Sequence, residues 1–264
     1  MTEKRHYSSY GEEIVQRLKL RTHPVALKML EKEADIPDGA VRPKKDLGYQ
    51  LDLCQAFCTS RHEGLTIAML KGDNWCYSPV VAMGIVKPPK FYLEGHMFYP
   101  EFTRTLEAAK RLAETTPRLE HGKFVGVVTA PLETANFEPD IIVIYGNSAQ
   151  LRNLLSAFKY QEGEQVTSVL EPGGACIRAT IPSLLGRICY VTVPCLGDRR
   201  WAMAKEDEMI FTVPVEKLES IVLGLRHLDE AGYGFPIKYG PRPNHPQTDK
   251  YIKVGRMIGL DMGE

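Results

Sequence analysis

Asp140-Ile141-Ile142-Val143-Ile144-Tyr145, with the helical spacing of Ser148 to Tyr160 directly behind it, is the stretch on which the fold turns. A short apolar run rich in β-branched residues predicts a strand, and the segment after it has the length and period of a helix. The same alternation continues on both sides from Lys123 onward. Phe124 to Thr129, Gln165 to Leu170, Ile188 to Val193 and Met209 to Val213 read as strands. Ala175 to Leu185 reads as a helix interrupted or kinked near Pro182, and Val215 to Ala231, opened by Pro214, as the last strong helix. Toward the N-terminus the spacing predicts a helix over Tyr10 to Leu20, a strand over Val25 to Leu30 and a loop over Glu31 to Lys45. A helix over Leu47 to His62 ending at Gly64, a strand over Leu65 to Leu70 and a helix over Pro100 to Ala113 follow. Strands alternating with helices of this length indicate an α/β or α+β protein, a mixed sheet with flanking helices. We read 1–231 as one domain, with a possible subdivision near 119–123. Gly232 to Glu264, rich in Gly and Pro, reads as an extended C-terminal arm lying over the body or over a neighbouring subunit of a homo-oligomer.

The chain has 264 residues, 44% of them apolar, and 33 Lys+Arg balance 33 Asp+Glu. That length supports a substantial core without covalent staples. The balanced charge argues against nucleic acid as a partner, because phosphate neutralisation needs a cationic excess. No apolar run approaches the roughly 18 residues of a membrane span, and Met1 to His6 lacks the apolar segment of a secretory signal, so a cytoplasmic protein without a membrane partner is expected. In that compartment the six cysteines are expected to serve metal, redox or catalytic chemistry rather than disulfides.

Cys54 and Cys58 lie one helical turn apart, a spacing that can hold two ligands of one centre, yet both continue an apolar stripe from Leu47 and Leu51. Cys58, beside Phe57, and Cys189, inside a strand, are assigned to the core. Cys76 sits in a turn between Trp75 and Tyr77, and loops are where ligands concentrate. Cys176 follows Gly173-Gly174-Ala175 and falls in the first turn of a helix, where free N–H groups favour a thiolate. Cys195 ends a strand within Pro194-Cys195-Leu196-Gly197-Asp198-Arg199-Arg200, where a strand-end crevice and an arginine would suit an anionic ligand. The plain alternative there is a solvated turn with a weak ion pair. Cys54, Cys76, Cys176 and Cys195 are therefore the expected metal ligands. Thiolate-only coordination suits an iron-sulfur cluster or structural zinc, and ligands scattered along the chain lean away from a zinc ribbon. His23 and His96 lack ligand spacing, and Glu133 is the best placed carboxylate for proton transfer.

The ordered set Leu53-Cys54-Gln55-Ala56, Cys76, Ala130-Pro131-Leu132-Glu133, Pro139 to Gln150, Gly174-Ala175-Cys176 and Pro194 to Arg200 resembles the family catalogued as domain of unknown function 169, over roughly Val25 to Val213. The family is common in archaea and anaerobic bacteria, and the resemblance implies that an oxygen-sensitive metallocentre would suit that distribution. Where members show Gly-Cys-x-Gly-Ser-Arg, this chain has Pro194-Cys195-Leu196-Gly197-Asp198-Arg199, so a carboxylate replaces the hydroxyl. Asn147-Ser148-Ala149-Gln150 looks like the family's Asn-Pro-x-Gln helix start, a capping turn that also stands where a ligand crevice would lie.

Three functions are open at this point. The first is a [4Fe-4S] protein, its cluster held by Cys54, Cys76, Cys176 and Cys195, serving redox or electron transfer in anaerobic metabolism with a redox partner protein; zinc is the alternative metal. The second is a protein that binds a small anionic ligand through Arg199, Arg200 and Asn147. The third is a thiol enzyme using Cys176 or Cys195.

Overall fold

Every residue from Ile141 to Gly146 is buried, because the strand they form is covered on both faces. Ile141, Val143 and Tyr145 point into one apolar cluster, while Ile142 and Ile144 point into another. Two-sided burial is why the run is continuously apolar rather than alternating. The computed structural model describes residues 7–237 and 248–262. In chain order its elements are α1 (Tyr7–Leu18), β1 (Val25–Leu30), α2 (Leu53–Glu63), β2 (Ile67–Leu70), α3 (Tyr77–Ala82), α4 (Lys90–Leu93), α5 (Leu106–Thr115) and β3 (Gly126–Pro131). They continue with β4 (Ile141–Asn147), α6 (Ser148–Glu162), α7 (Ala175–Gly186), β5 (Tyr190–Thr192), α8 (Leu196–Trp201), β6 (Glu208–Pro214), α9 (Leu218–Glu230) and α10 (Asp249–Met257).

The strands form one sheet in the order β2-β3-β1-β4-β6-β5, and each neighbouring pair is antiparallel. β4 and β6 run in register from Ile141 opposite Pro214 to Asn147 opposite Glu208. One face carries α1, α6 and α9, the other α2 and α7, giving three layers with the sheet in the middle. The expected sheet with flanking helices is present, and its antiparallel pairing makes it α+β. Among the described residues no helix is long and apolar enough to cross a membrane.

Several boundaries differ from those read in the sequence. α2 begins at Leu53, not Leu47: Asp52 accepts the Gln55 N–H at 2.6 Å and Gln55 returns a bond from its side chain to the Asp52 N–H, a capping box that starts the helix there. The helix expected from Pro100 starts at Leu106 behind the Thr105 cap, leaving Phe102 exposed. Gln165 to Leu170 forms no strand. It follows the edge of β5 through side chains instead, with the Val169 N–H donating to the Tyr190 hydroxyl at 2.9 Å and the Val191 N–H to Ser168 at 2.9 Å. α7 runs unbroken through Pro182. The arm holds a helix, α10, so it is not extended throughout; 238–247 and 263–264 lie outside the described residues.

α6 and α9 approach so closely that a Cβ built on Gly224 would stand 2.7 Å from the Ala157 Cα and carbonyl carbon. Gly-to-Ala in a helix interior ordinarily gains about 1 kcal/mol. Here Gly224→Ala is expected to cost about 2 kcal/mol, because overpacking against backbone forces the helices apart. A thermal or urea midpoint equal to or above that of the parent would contradict this.

Candidate functional site

Four helices begin beside one another on the α2–α7 face. α2 packs on α7 and α8, and α3 packs on α7. The turn before α3 is docked to the chain entering α2 by backbone pairing, Leu51 N–H to Asp73 O at 3.0 Å and Trp75 N–H to Leu51 O at 3.1 Å. Each of the four expected ligands occupies one of these helix starts. Cys76 and Cys195 are the N-cap residues of α3 and α8, and Cys54 and Cys176 are the second residues of α2 and α7. The turn into α7 depends on Gly174, whose φ of +62° is strained for residues bearing a Cβ. Cys58 stands mid-helix and Cys189 lies between α7 and β5 in the opposite cluster, both buried as expected.

Cys54 lies within electrostatic reach of Cys176, Cys176 of Cys76 and Cys195, and Cys76 of Cys195. Burial dominates their chemistry and disfavours the thiolate, which pushes Cys54 and Cys176 far up and Cys76 up to about 11. Cys195 is also raised, by burial and then by Asp198, although the N–H groups of Ala175, Asp198 and Gly197 face its sulfur and pull the other way. The Ser78 N–H does the same for Cys76. Among the described residues no group of three or more His, Cys, Asp or Glu side chains is placed to hold a metal ion.

Two carboxylates, a phenol and a guanidinium lie beside these helix starts, and of the four the sequence drew attention only to Asp198, as the carboxylate that replaces the family's hydroxyl. The Cys54 thiol donates to Asp52 Oδ1 at 2.8 Å, and the Cys195 thiol faces Asp198 Oδ2 at 3.6 Å. Asp198 is fully buried and accepts the Tyr145 hydroxyl at 3.0 Å on its other oxygen. It is therefore no solvated turn residue, and burial raises its pKa to about 6 against the opposing hydrogen bonds. The Arg61 guanidinium lies 4.0 Å from the centre of the Tyr145 ring and 3.4 Å from both Glu208 carboxylate oxygens. For Asp52 a signal was available, the Asp52-x-x-Gln55 capping box. For Asp198 the hints were its place one turn beyond Cys195 and the carboxylate standing where the family shows a hydroxyl.

The remaining candidates lie in other settings. Asn147 caps α6, its Oδ1 accepting the Ala149 and Gln150 N–H groups at 3.0 Å each. Arg199 pairs with Glu206 at 3.3 Å and donates to the Lys205 carbonyl. Arg200 lies over the Trp201 ring at 5.6 Å. Glu133 bonds His23 Nδ1 at 2.9 Å and abuts Gly11 of α1, while half-exposed His96 stands 3.8 Å from Glu94.

Comparison with known proteins gives a family but no activity. The model for domain of unknown function 169, described as uncharacterised ArCR, matches residues 13–224. An uncharacterised protein of Methanocaldococcus jannaschii, MJ0308, is 26% identical over 211 residues, covering 77% of this chain and 86% of that protein. No solved structure gives a significant match. The family match takes in all four helix starts that carry the thiols, and the chain belongs to the uncharacterised ArCR family, domain of unknown function 169.

Proposed function

We propose that Cys54, Cys76, Cys176 and Cys195 hold a [4Fe-4S] cluster and that the protein serves electron transfer in anaerobic metabolism. The observation that supports this is that four thiols stand at four neighbouring helix starts, in buried surroundings that disfavour their charge unless a cation compensates it. Four thiols without an imidazole form the donor set of such a cluster or of a four-cysteine zinc site. Zinc asks all four sulfurs to converge on one ion at about 2.3 Å. A cluster sets each cysteine on its own iron, so it does not ask the four sulfurs to meet on one ion.

When bound, the cluster would supply one-electron transfer. The chain's own residues prepare the site for it. Asp52 and Asp198 are placed to receive the protons that Cys54 and Cys195 lose on ligation. The N–H groups of Ala175, Gly197, Asp198 and Ser78 steady the resulting anionic sulfurs. Burial of Cys54 and Cys176 excludes water, and Arg61 brings positive charge to the Tyr145 side of the site.

The other readings draw less support. A nucleophilic thiol needs a lowered pKa, whereas Cys176 and Cys195 are both raised. An anion held by Asn147, Arg199 and Arg200 would compete with the cap, the Glu206 pair and the Trp201 ring that already engage them.

Anaerobic purification is expected to give a coloured protein with iron and acid-labile sulfide in equal amounts. Cys54→Ser and Cys176→Ser should each lower bound iron about tenfold or more, since even supporting residues of metal sites cost 10–100-fold in affinity. Cys58→Ser and Cys189→Ser should retain it. A colourless, iron-free protein under these conditions, or equal iron in the Cys58 and Cys176 variants, would end the proposal.

A further inference from the structure

The chain has two tryptophans, and both stand at helix starts that bear a thiol. Trp75 immediately precedes Cys76, and Trp201 is the last residue of α8, the helix that Cys195 caps. Their rings meet edge to face with centroids 5.7 Å apart, although they are far apart in sequence. They are 46% and 48% exposed and belong to none of the buried core clusters. Burial of apolar area therefore accounts for only part of their presence there.

We propose that Gln55, Trp75 and Trp201 form a clasp that holds the helix starts bearing Cys54, Cys76 and Cys195 at a fixed spacing, and are positioning residues of the metal centre. The proposal rests on the reading that these thiols hold such a centre, and it has a consequence in the metal-free chain that is independent of that reading.

The clasp is an unbroken run of contacts. The Cys54 thiol donates to Asp52 Oδ1 at 2.8 Å, and the same oxygen accepts the Gln55 N–H at 2.6 Å. Gln55 Oε1 then accepts two donors, the Asp52 N–H at 3.0 Å and the Trp75 indole N–H at 2.9 Å. One oxygen thus ties the start of α2 to the turn before α3. The Trp75 ring carries the link across to Trp201. Trp201 in turn stands beside the last thiol: a Cβ built on Gly197 would lie 3.5 Å from the Cys195 sulfur and 3.5 Å from the Trp201 ring, so both flank one point of α8.

Helix length says why such a clasp matters. α3 and α8 have six residues each, and helices that short take their orientation from what packs on them. An edge-to-face ring pair is directional, so it fixes angle as well as distance. A ligand is held only as firmly as the residues behind it. Gln55 enters the clasp through its oxygen. Gln55→Glu therefore keeps the acceptor and the capping box, whereas Gln55→Leu removes the acceptor and leaves both rings in place.

The full chain, loaded anaerobically with ferrous iron and sulfide and then exposed to an excess of iron chelator, tests the clasp. Gln55→Leu, Trp75→Leu and Trp201→Leu should each release iron about tenfold faster than the parent. Gln55→Glu should release it at the parent rate. In the metal-free chain, iodoacetamide should alkylate Cys76 and Cys195 several-fold faster in Gln55→Leu than in the parent or in Gln55→Glu. Cys189, buried in the opposite cluster, should react at the parent rate in all three, which separates a loosened clasp from a loosened fold. A parent that takes up no iron would end the cluster reading, and the alkylation rates would still decide the clasp. Parent-like rates at Cys76 and Cys195 in Gln55→Leu, or Cys189 reacting faster in step with them, would overturn it.

Discussion

An Arg61→Met variant is expected to lose about 3–5 kcal/mol of folding stability, the usual cost of removing one partner of a buried ion pair. Arg61 is 1% exposed and faces Glu208, itself buried, across 3.4 Å. The guanidinium also donates to Thr22 and to the Ala202 carbonyl, each at 3.3 Å, and stacks on Tyr145. Methionine fills much of the volume but leaves the Glu208 carboxylate without its cation in a low-dielectric interior. The Lys205 N–H, at 2.9 Å, is then the neighbour still donating to it. Most of the loss should therefore come from Glu208, not from missing contacts. The double variant Arg61→Met, Glu208→Gln should recover more than half of it, since replacing both members of a buried pair is often close to neutral. Urea midpoints of the two single variants and the double variant test this directly. A single Arg61→Met cost below about 1 kcal/mol, or a double variant no better than the single, would refute the account.

Asp198→Asn is expected to act in the opposite direction and to depend on pH. Burial raises the folded-state pKa of Asp198 to about 6 from an ordinary 3.8. The folded protein thus binds this proton more tightly than the unfolded chain does. The stability Asp198 contributes is fully present below about pH 4 and is lost as pH rises through about 6. Above about pH 7 the ionised, buried carboxylate costs on the order of a few kcal/mol. Asparagine keeps an oxygen to accept the Tyr145 hydroxyl and offers Cys195 an amide, but it has no proton to lose. The metal-free variant should be more stable than the metal-free parent near pH 8 by up to that amount, with the gap closing toward pH 4. Denaturation midpoints of both proteins across this range check the slope. A difference independent of pH would rule out Asp198 as its source.

The elements of the chain were largely readable because their signals are local. β4 is apolar at every position and α6 starts at Asn147 with Gln150 three residues on, so strand, cap and helix are visible within a dozen residues. Where boundaries moved, a local signal had been outweighed by a longer pattern. Leu47 matched the helical stripe of Cys54 and Cys58, yet Asp52 and Gln55 close the box that begins α2 six residues later. Gln165 to Leu170 had the composition of a strand. The side chains of Ser168 and Tyr190 take up the edge of β5 without a backbone ladder there.

The four thiols were chosen because three stand at turns or element ends, and the structure sets all four at the starts of neighbouring helices. Their neighbours were hidden for a physical reason. Arg61 and Glu208 are 147 residues apart, and Tyr145 and Asp198 are 53 apart. A charged residue next to two arginines, as Asp198 is, reads as surface until the fold buries it. Residue periodicity and capping chemistry determined the helices, the strands and the class of fold, because those forces act between neighbours along the chain. Which polar groups lose their water, and which sulfur meets which carboxylate, was decided only when the sheet and its two helical layers closed over them, because desolvation depends on neighbours in space and not on neighbours in sequence.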